Sequence, residues 1–226
     1  MSNQGKVSRV ESSEEEYTQS DLKLIKEHFG IADMPLTEFE RAAFKESLYF
    51  WRDLLRNRRM DEANELREKL SPISNLELCE PDLAMLYRLH EVIHFLVEGD
   101  IDTAKMKLKL LQSELKNMNI ENLYIYNNNM GSLNAMRNNF EDGLKFYIQA
   151  FEIRKNHKDC LPDDEERLYH NMAKCYTDIE HPNRAIIFLN KISQNLSTIY
   201  PKPHLLVYNY SKSYIGAMTH EKTIPE

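Results

Sequence analysis

The chain has 226 residues, 42% of them hydrophobic, and few glycines, which favours a helical fold with a sizeable core and argues against a β-rich one. Its formal charge of -7 is not that of a protein whose whole surface binds nucleic acid. No apolar run approaches the roughly 20 residues that span a bilayer, and the polar N-terminus carries no secretory signal, so we expect a cytoplasmic protein without a membrane partner.

The N-terminal segment, residues 1–33, predicts two helices. The first covers residues 1–11, and the second runs from about residue 21 to 29, with Gly30 where a helix stop is expected. Thr37 and Glu40 then fit a capping box, in which each residue's side chain accepts from the other's backbone N–H. We therefore predict a domain boundary near Met34 and a second domain over residues 34–226.

The second domain reads as helix, short break, helix throughout. Short connections force neighbouring helices to be antiparallel. The basic turn at residues 56–59 is interpreted as a solvated connection between two of them. The predicted units are four helical hairpins and one further helix: roughly 38–72, 81–117, 121–156, 163–197, and about 203–218.

Two columns of residues recur in these units at nearly the same intervals, which indicates an internal repeat. Both columns have successive intervals of 39 and 42 residues in the second to fourth hairpins. Small residues let paired helices approach closely, and polar residues recur inside the first helix of each unit. The small column is Ala63, Ala104, Gly143 and Ala185. The polar column is His90, Asn129, Asn171 and Asn209.

The repeat resembles the tetratricopeptide pattern, in which a small residue precedes an aromatic and an alanine is followed by a bulky residue. Ala173 and Tyr176, followed by Ala185 and Leu189, fit it well, although the period is longer than the usual ~34 residues. The resemblance implies an all-α fold, a right-handed superhelical array of antiparallel helix pairs with about 4.5 repeats.

The N-terminal segment resembles the second half of a Cro/repressor-like helix-turn-helix domain. The matching residues are Ser8, Arg9, Val10, Glu11, Leu22, Ile25, Phe29, Gly30 and Ile31. The resemblance implies that Asn3, Gln4 and Lys6 face the major groove of DNA. Because a recognition helix needs a preceding helix to brace it, we expect DNA binding only if the two missing family helices exist in the full protein.

A partial helix-turn-helix followed by such repeats resembles the peptide-sensing regulators of the Rap/Rgg/NprR/PlcR/PrgX group. That resemblance implies a quorum-sensing transcription regulator, a homodimer, whose repeat array binds a short linear signalling peptide on its concave face and so alters DNA binding. The alternative is a tetratricopeptide adaptor that binds a protein partner without touching DNA.

Amides in the first helices are the candidate peptide ligands, because one amide donates to a peptide C=O and accepts from a peptide N–H. Nearby cations suit a peptide C-terminal carboxylate. An equally open alternative is that the asparagines hydrogen-bond between neighbouring helices and hold the array together. The candidate peptide-binding residues are Asn128, Asn129, Arg167, His170, Asn171, Lys174, Asn209 and Lys212.

One motif, His90-Glu91-Val92-Ile93-His94, matches the H-E-x-x-H pattern of zinc metallopeptidases. Catalytic zinc needs a third protein ligand, and the sequence offers no obvious one. The repeat also explains His90, which occupies the asparagine column. The zinc peptidase thus remains a remote alternative, and we expect no enzyme, no catalytic residue, no metal and no cofactor.

Overall fold

The computed structural model describes residues 36–71, 80–157, 161 and 165–192. Within these ranges the chain is all-helical, with eight α-helices, one 3₁₀ helix (η1) and no strand. The helices are α1 (Glu38–Arg56), α2 (Met60–Leu70), α3 (Pro81–Glu98), α4 (Ile101–Leu111), η1 (Gln112–Asn117), α5 (Ile120–Met136), α6 (Phe140–Asn156), α7 (Glu165–Asp178) and α8 (Pro182–Lys191).

These helices form the four predicted antiparallel hairpins, α1–α2, α3–α4, α5–α6 and α7–α8. The first helices of successive hairpins also pack side by side, α1 on α3, α3 on α5, and α5 on α7. No described helix is long and apolar enough to cross a membrane. The predicted N-terminal segment, the boundary near Met34 and the helix at 203–218 lie outside the described residues.

The start of α1 has the predicted capping box. Glu40 N donates to Thr37 Oγ1 at 3.2 Å, and Thr37 N donates to Glu40 Oε2 at 2.9 Å. Side chains cap two later helices as well, Asp100 at α4 and Asn119 at α5. Each cap satisfies a backbone N–H that the helix itself leaves without a partner.

One kind of turn joins the two helices of every hairpin. Each turn contains a residue in the left-handed conformation, and these residues recur at the intervals of the small-residue column. In each turn a backbone N–H also donates to the carbonyl five residues earlier, at 2.8–3.0 Å, as in a Schellman motif. The left-handed residues are Arg58, Gly99, Asn138 and Glu180.

The small residues pack between the two helices of their hairpins, as predicted. Ala63, Ala104 and Ala185 are fully buried. At Gly143 an added Cβ would lie 3.1 Å from the backbone oxygen of Gly131, so a larger residue would push α6 away from α5. The small column therefore sets the spacing within each pair.

The core is nearly continuous along the array. One apolar cluster runs from Phe44 in α1 to Cys175 in α7, and a smaller cluster joins α7 to α8. Each hairpin thus buries its apolar surface against the next one, which is how helical-repeat arrays are stabilised.

Candidate functional site: a pocket on the inner helices

A pocket of about 400 Å³ lies where the first helices of all four hairpins meet. Its lining residues come from α1 and the turn after it, from α3, α5 and α7, and, with Tyr147, from α6. This volume lies within the range of about 300–1,000 Å³ that is typical of ligand sites. The structure places five of the predicted peptide-binding residues in its lining: Asn128, Asn129, Arg167, Asn171 and Lys174.

The two adjacent asparagines of α5 make different hydrogen bonds. Asn129 is buried, and its Nδ2 donates to Leu89 O of α3 at 2.9 Å. Asn128 Nδ2 donates within its own helix, to Tyr124 O at 3.3 Å. Asn129 therefore links α3 to α5, which is the structural role that the sequence left open. Asn129 also forms part of the pocket wall.

The α7 side of the pocket carries Asn171, which is half-buried, and two hydroxyl groups also line the pocket. The Oγ of Ser132 and the phenolic oxygen of Tyr147 lie 3.0 Å apart. Burial raises the pKa of Tyr147, so the phenol stays neutral and keeps its proton to donate. The pocket thus offers neutral amide and hydroxyl groups to a ligand.

Three cations on the α1 side were not among the predicted site residues. Arg52, Arg56 and Arg58 all line the pocket. The spacing of Arg52 and Arg56, one helical turn apart in a first helix, is the signal that could have revealed them. Arg58 belongs to the turn that we had interpreted as a solvated connection; it is exposed, and its Nη1 donates to Val97 O at 2.8 Å.

Other predicted site residues lie elsewhere. His170 is half-buried on α7 and is not among the residues that line the pocket. Asn209 and Lys212, and the predicted DNA-binding residues Asn3, Gln4 and Lys6, lie outside the described part of the chain.

The histidines of the H-E-x-x-H motif belong to the core. His90 and His94 are both fully buried beside Trp51, with ring centroids 6.4 Å and 5.7 Å from it. His90 Nδ1 lies 2.8 Å from Leu86 O, and burial together with the charge of Arg52 lowers the pKa of His90 to about 3. Burial also lowers the pKa of His94. Both rings are therefore neutral at neutral pH.

The glutamate of the same motif is engaged in ion pairs. Glu91 pairs with Lys107 of α4 at 3.0 Å and with Arg67 of α2 at 3.4 Å. Among the described residues no group of three or more His, Cys, Asp or Glu side chains could hold a metal ion. The geometry of this motif is that of a packed helix with partly buried ion pairs, and it gives the zinc peptidase alternative no support.

The cysteine in the pocket wall is unsuited to nucleophilic chemistry. Cys175 is buried, and burial raises the pKa of its thiol to about 11. A thiol with so high a pKa stays protonated at neutral pH, and the thiolate is the nucleophilic form. Cys175 therefore contributes apolar surface to the pocket.

Comparison with known proteins gives matches in structure alone. No family model matches the chain, and its sequence matches no curated protein. The apo form of the quorum sensor NprR from B. thuringiensis superposes with a TM-score of 0.67 at 18% identity, over 76% of this chain and 47% of that one. NprR in complex with its cognate peptide NprX gives a TM-score of 0.69 at 17% identity, over 79% and 51%.

The chain spans about half the length of these solved structures. At this identity the likeness establishes the architecture, since many functions share a helical-repeat fold. It agrees with the helical hairpins of this chain. The chain therefore has an all-α, tetratricopeptide-like repeat fold, which it shares with the quorum sensor NprR.

Proposed function

We propose that the chain is the sensor part of a peptide-responsive transcription regulator of the quorum-sensing type. Its ligand is a short linear signalling peptide that occupies the pocket on the inner helices. The observation that carries this proposal is the pocket itself, whose polar wall includes Asn128, Asn129 and Asn171. The complex of NprR with its cognate peptide NprX supports the proposal, because the two chains share their fold.

The amides suit an extended peptide, which presents both N–H and C=O groups along its length. Asn171 and Ser132 supply donors and acceptors to that backbone, and the apolar side chains of Ile93 and Leu96 contact its side chains. A ligand that contacts the inner helices of four successive hairpins stabilises one particular spacing between those helices. Because only residues 34–37 separate α1 from residues 1–33, we expect a ligand-induced change in that spacing to reach the predicted DNA-binding segment.

Selection from a phage-displayed library of linear heptapeptides, with the full chain immobilised, tests peptide binding. The strongest peptide is resynthesised and its Kd is measured by titration calorimetry against Asn171→Ala and Asn64→Ala. Asn64 is exposed on α2, away from the pocket, and serves as the matched control. We expect about a tenfold loss of affinity for Asn171→Ala, from the lost backbone hydrogen bonds, and no change for Asn64→Ala.

Two results count against the peptide sensor. One is a selection in which no peptide is enriched on this chain more than on an unrelated helical protein. The other is a selected peptide that binds Asn171→Ala and the parent chain equally well, which would place it on another surface.

Peptide-dependent regulation of DNA binding is the second half of the proposal. We also propose that the whole protein is a cytoplasmic homodimer. DNA contact is assigned to Asn3, Gln4 and Lys6 in the whole protein, with two further helices bracing the recognition helix. Selection of DNA from a randomised pool by the whole protein, with and without the peptide, tests it. We expect a peptide-dependent change in affinity that replacing these three residues by Ala abolishes. Peptide binding with no DNA selected would favour the adaptor alternative.

A further inference from the structure

The pocket has a charge opposite to that of the chain. The chain as a whole has 29 Lys and Arg against 36 Asp and Glu. Among the described residues that line the pocket none is acidic. Five of the lining residues are cationic: Arg52, Arg56, Arg58, Arg167 and Lys174. Positive charges that are concentrated in a cleft focus a positive potential there and attract anionic ligands.

On the α1 side, Arg56 lies 3.6 Å from Asp53 of the same helix, and the other two arginines are held in position by their contacts. Arg52 is only 7% exposed, and its guanidinium lies 4.6 Å from the centroid of the Tyr49 ring. The hydrogen bond from Arg58 to Val97 O holds a second guanidinium at the end of α3. Guanidinium groups held in this way bind carboxylates with little further loss of side-chain entropy.

The α7 side carries Arg167 and the more exposed Lys174. The Lys174 amine lies 3.0 Å from Asp178, one turn along the same helix. Exposed pairs of this kind are worth little, since water screens both charges, so the ammonium can still attract an anion in the pocket.

Neutral groups separate the two sets of cations. α1 and α7 are the first and last of the four inner helices, and between them α3 and α5 provide Ile93, Leu96, Asn128 and Ser132. The lining therefore changes from cationic to neutral and back to cationic across the pocket. A complementary ligand is anionic towards both ends and uncharged in its middle.

We infer that the peptide is acidic, with at least two carboxylates separated by uncharged residues. One carboxylate belongs to an Asp or Glu side chain, and the second is another such side chain or the C-terminus. This inference rests on the proposed peptide function and specifies the class of peptide. The apolar and amide groups in the middle of the pocket favour a peptide over a compact polyanion such as inorganic phosphate.

Three heptapeptide pools of matched length and composition test the inference against the full chain. One pool carries two Asp or Glu residues per peptide, the second carries Asn or Gln at the same places, and the third carries Lys or Arg there. Affinity selection followed by mass spectrometry measures enrichment. We expect the acidic pool to be enriched about tenfold or more over the amide pool, since hydrogen bonds to ionised groups are stronger than those between neutral groups.

Charge substitutions then locate the effect. Lys174→Gln is expected to reduce the enrichment of the acidic pool, and Lys174→Glu to reduce it further, because the four arginines of the lining remain. Lys145→Glu and Lys145→Gln are the matched controls, because Lys145 also pairs with a carboxylate on its own helix, at 2.7 Å, but lies outside the pocket. These controls are expected to keep the parent's preference. Circular dichroism confirms that each variant is folded.

The outcomes separate the two proposals. Equal or greater enrichment of the amide pool would overturn the acidic peptide and leave the peptide sensor standing. Enrichment of no pool would overturn both. Competition of the acidic pool by inorganic phosphate at the same carboxyl-equivalent concentration would also overturn the inference, since a simple anion would then fill the site.

Discussion

Equivalent positions of the polar column have different environments on α3 and on α7. On α3, His90 is fully buried against Trp51. On α7, Asn171 is half-buried in the pocket wall. Asn129 of α5, between them in the repeat, is buried and bonded to Leu89 O while it also borders the pocket. The α3 position is closed by aromatic packing, and the α7 position remains accessible.

The scaffold positions show no such gradient. Left-handed turn residues and buried small residues recur in all four hairpins. The repeat therefore fixes the spacing and direction of the helices, and the inner column is then adapted locally, to a core at one end and to a pocket at the other. A binding site in such an array is recognised where an inner position is not filled by core side chains.

Trp51→Ala is expected to have the largest effect on stability. Trp51 packs at the closed end of the inner face, by which we mean the core around Trp51, His90 and His94. Trp51 is fully buried beside Tyr87, His90 and His94, so its removal leaves a cavity and should lower the free energy of unfolding by about 3–5 kcal/mol. Denaturant unfolding followed by far-UV circular dichroism measures it, because Trp51 is the chain's single tryptophan. Phe39→Ala, 82% exposed on the same helix, should change stability by less than about 0.5 kcal/mol. Equal effects at the two positions would contradict a packed closed end.

Gly131→Ala tests the contact between α5 and α6 beside the pocket, where Gly131 packs against Tyr147. An added Cβ at Gly131 would lie 2.6 Å from the buried Tyr147 ring, so we expect about 1–3 kcal/mol of destabilisation. In a double-mutant cycle, Tyr147→Leu should remove most of that additional cost, because the clash involves the ring. Additive effects of the two substitutions would show that the cost of Gly131→Ala does not come from the Tyr147 ring.

Much of the fold follows from sequence because its signals are periodic. Ala104, Gly143 and Ala185 gave the register of the hairpins, and Thr37 with Glu40 gave the start of α1. The left-handed conformation of Arg58 and Glu180 could not be predicted, since neither residue type favours it. At these two positions the packing of the two helices determines the backbone conformation of the turn, whatever the side chain.

The pocket was predictable only in part. Periodicity placed Asn129 and Asn171 on inner helices, yet it could not distinguish an amide bonded to Leu89 O from one at a pocket wall. The contribution of Arg52 depends on how α1 packs across α3, a contact between residues far apart in sequence. The same limitation applies to His90, which the repeat placed on an inner helix but whose burial depends on Trp51.

His90→Asn makes the closed position resemble the open one and should change the pH dependence of stability. The folded pKa of His90, about 3, lies below the ~6.5 of an unfolded histidine. As the pH falls below 6.5, the unfolded chain binds a proton that the folded chain excludes until about pH 3. Stability due to this group is therefore complete above pH 6.5 and is lost on acidification, by up to about 1.4 kcal/mol per pH unit.

The variant should lose stability less steeply than the parent between pH 6.5 and 4.5. Carboxylates and His94 titrate in both proteins, so their contributions largely cancel in the difference. Unfolding free energies at four pH values within that range provide the measurement. Parallel pH profiles would mean that the His90 ring gains a proton in the folded state, and hence that the α3 position is as open to water as the α7 position.

Glu180→Gly should have the smallest effect and tests the uniform part of the scaffold. Glu180 is exposed with φ of 59°, a conformation that costs an L-residue about 1–2 kcal/mol and glycine almost nothing. Glycine's greater freedom in the unfolded chain offsets about 0.5–1 kcal/mol of that gain, leaving a net stabilisation of roughly 0.5–1 kcal/mol. Asn138→Gly, at the equivalent turn, should gain less because asparagine tolerates this conformation. Destabilisation by Glu180→Gly would mean that the turn's side chain contributes to the last hairpin, so that the turns differ from one another as the inner positions do.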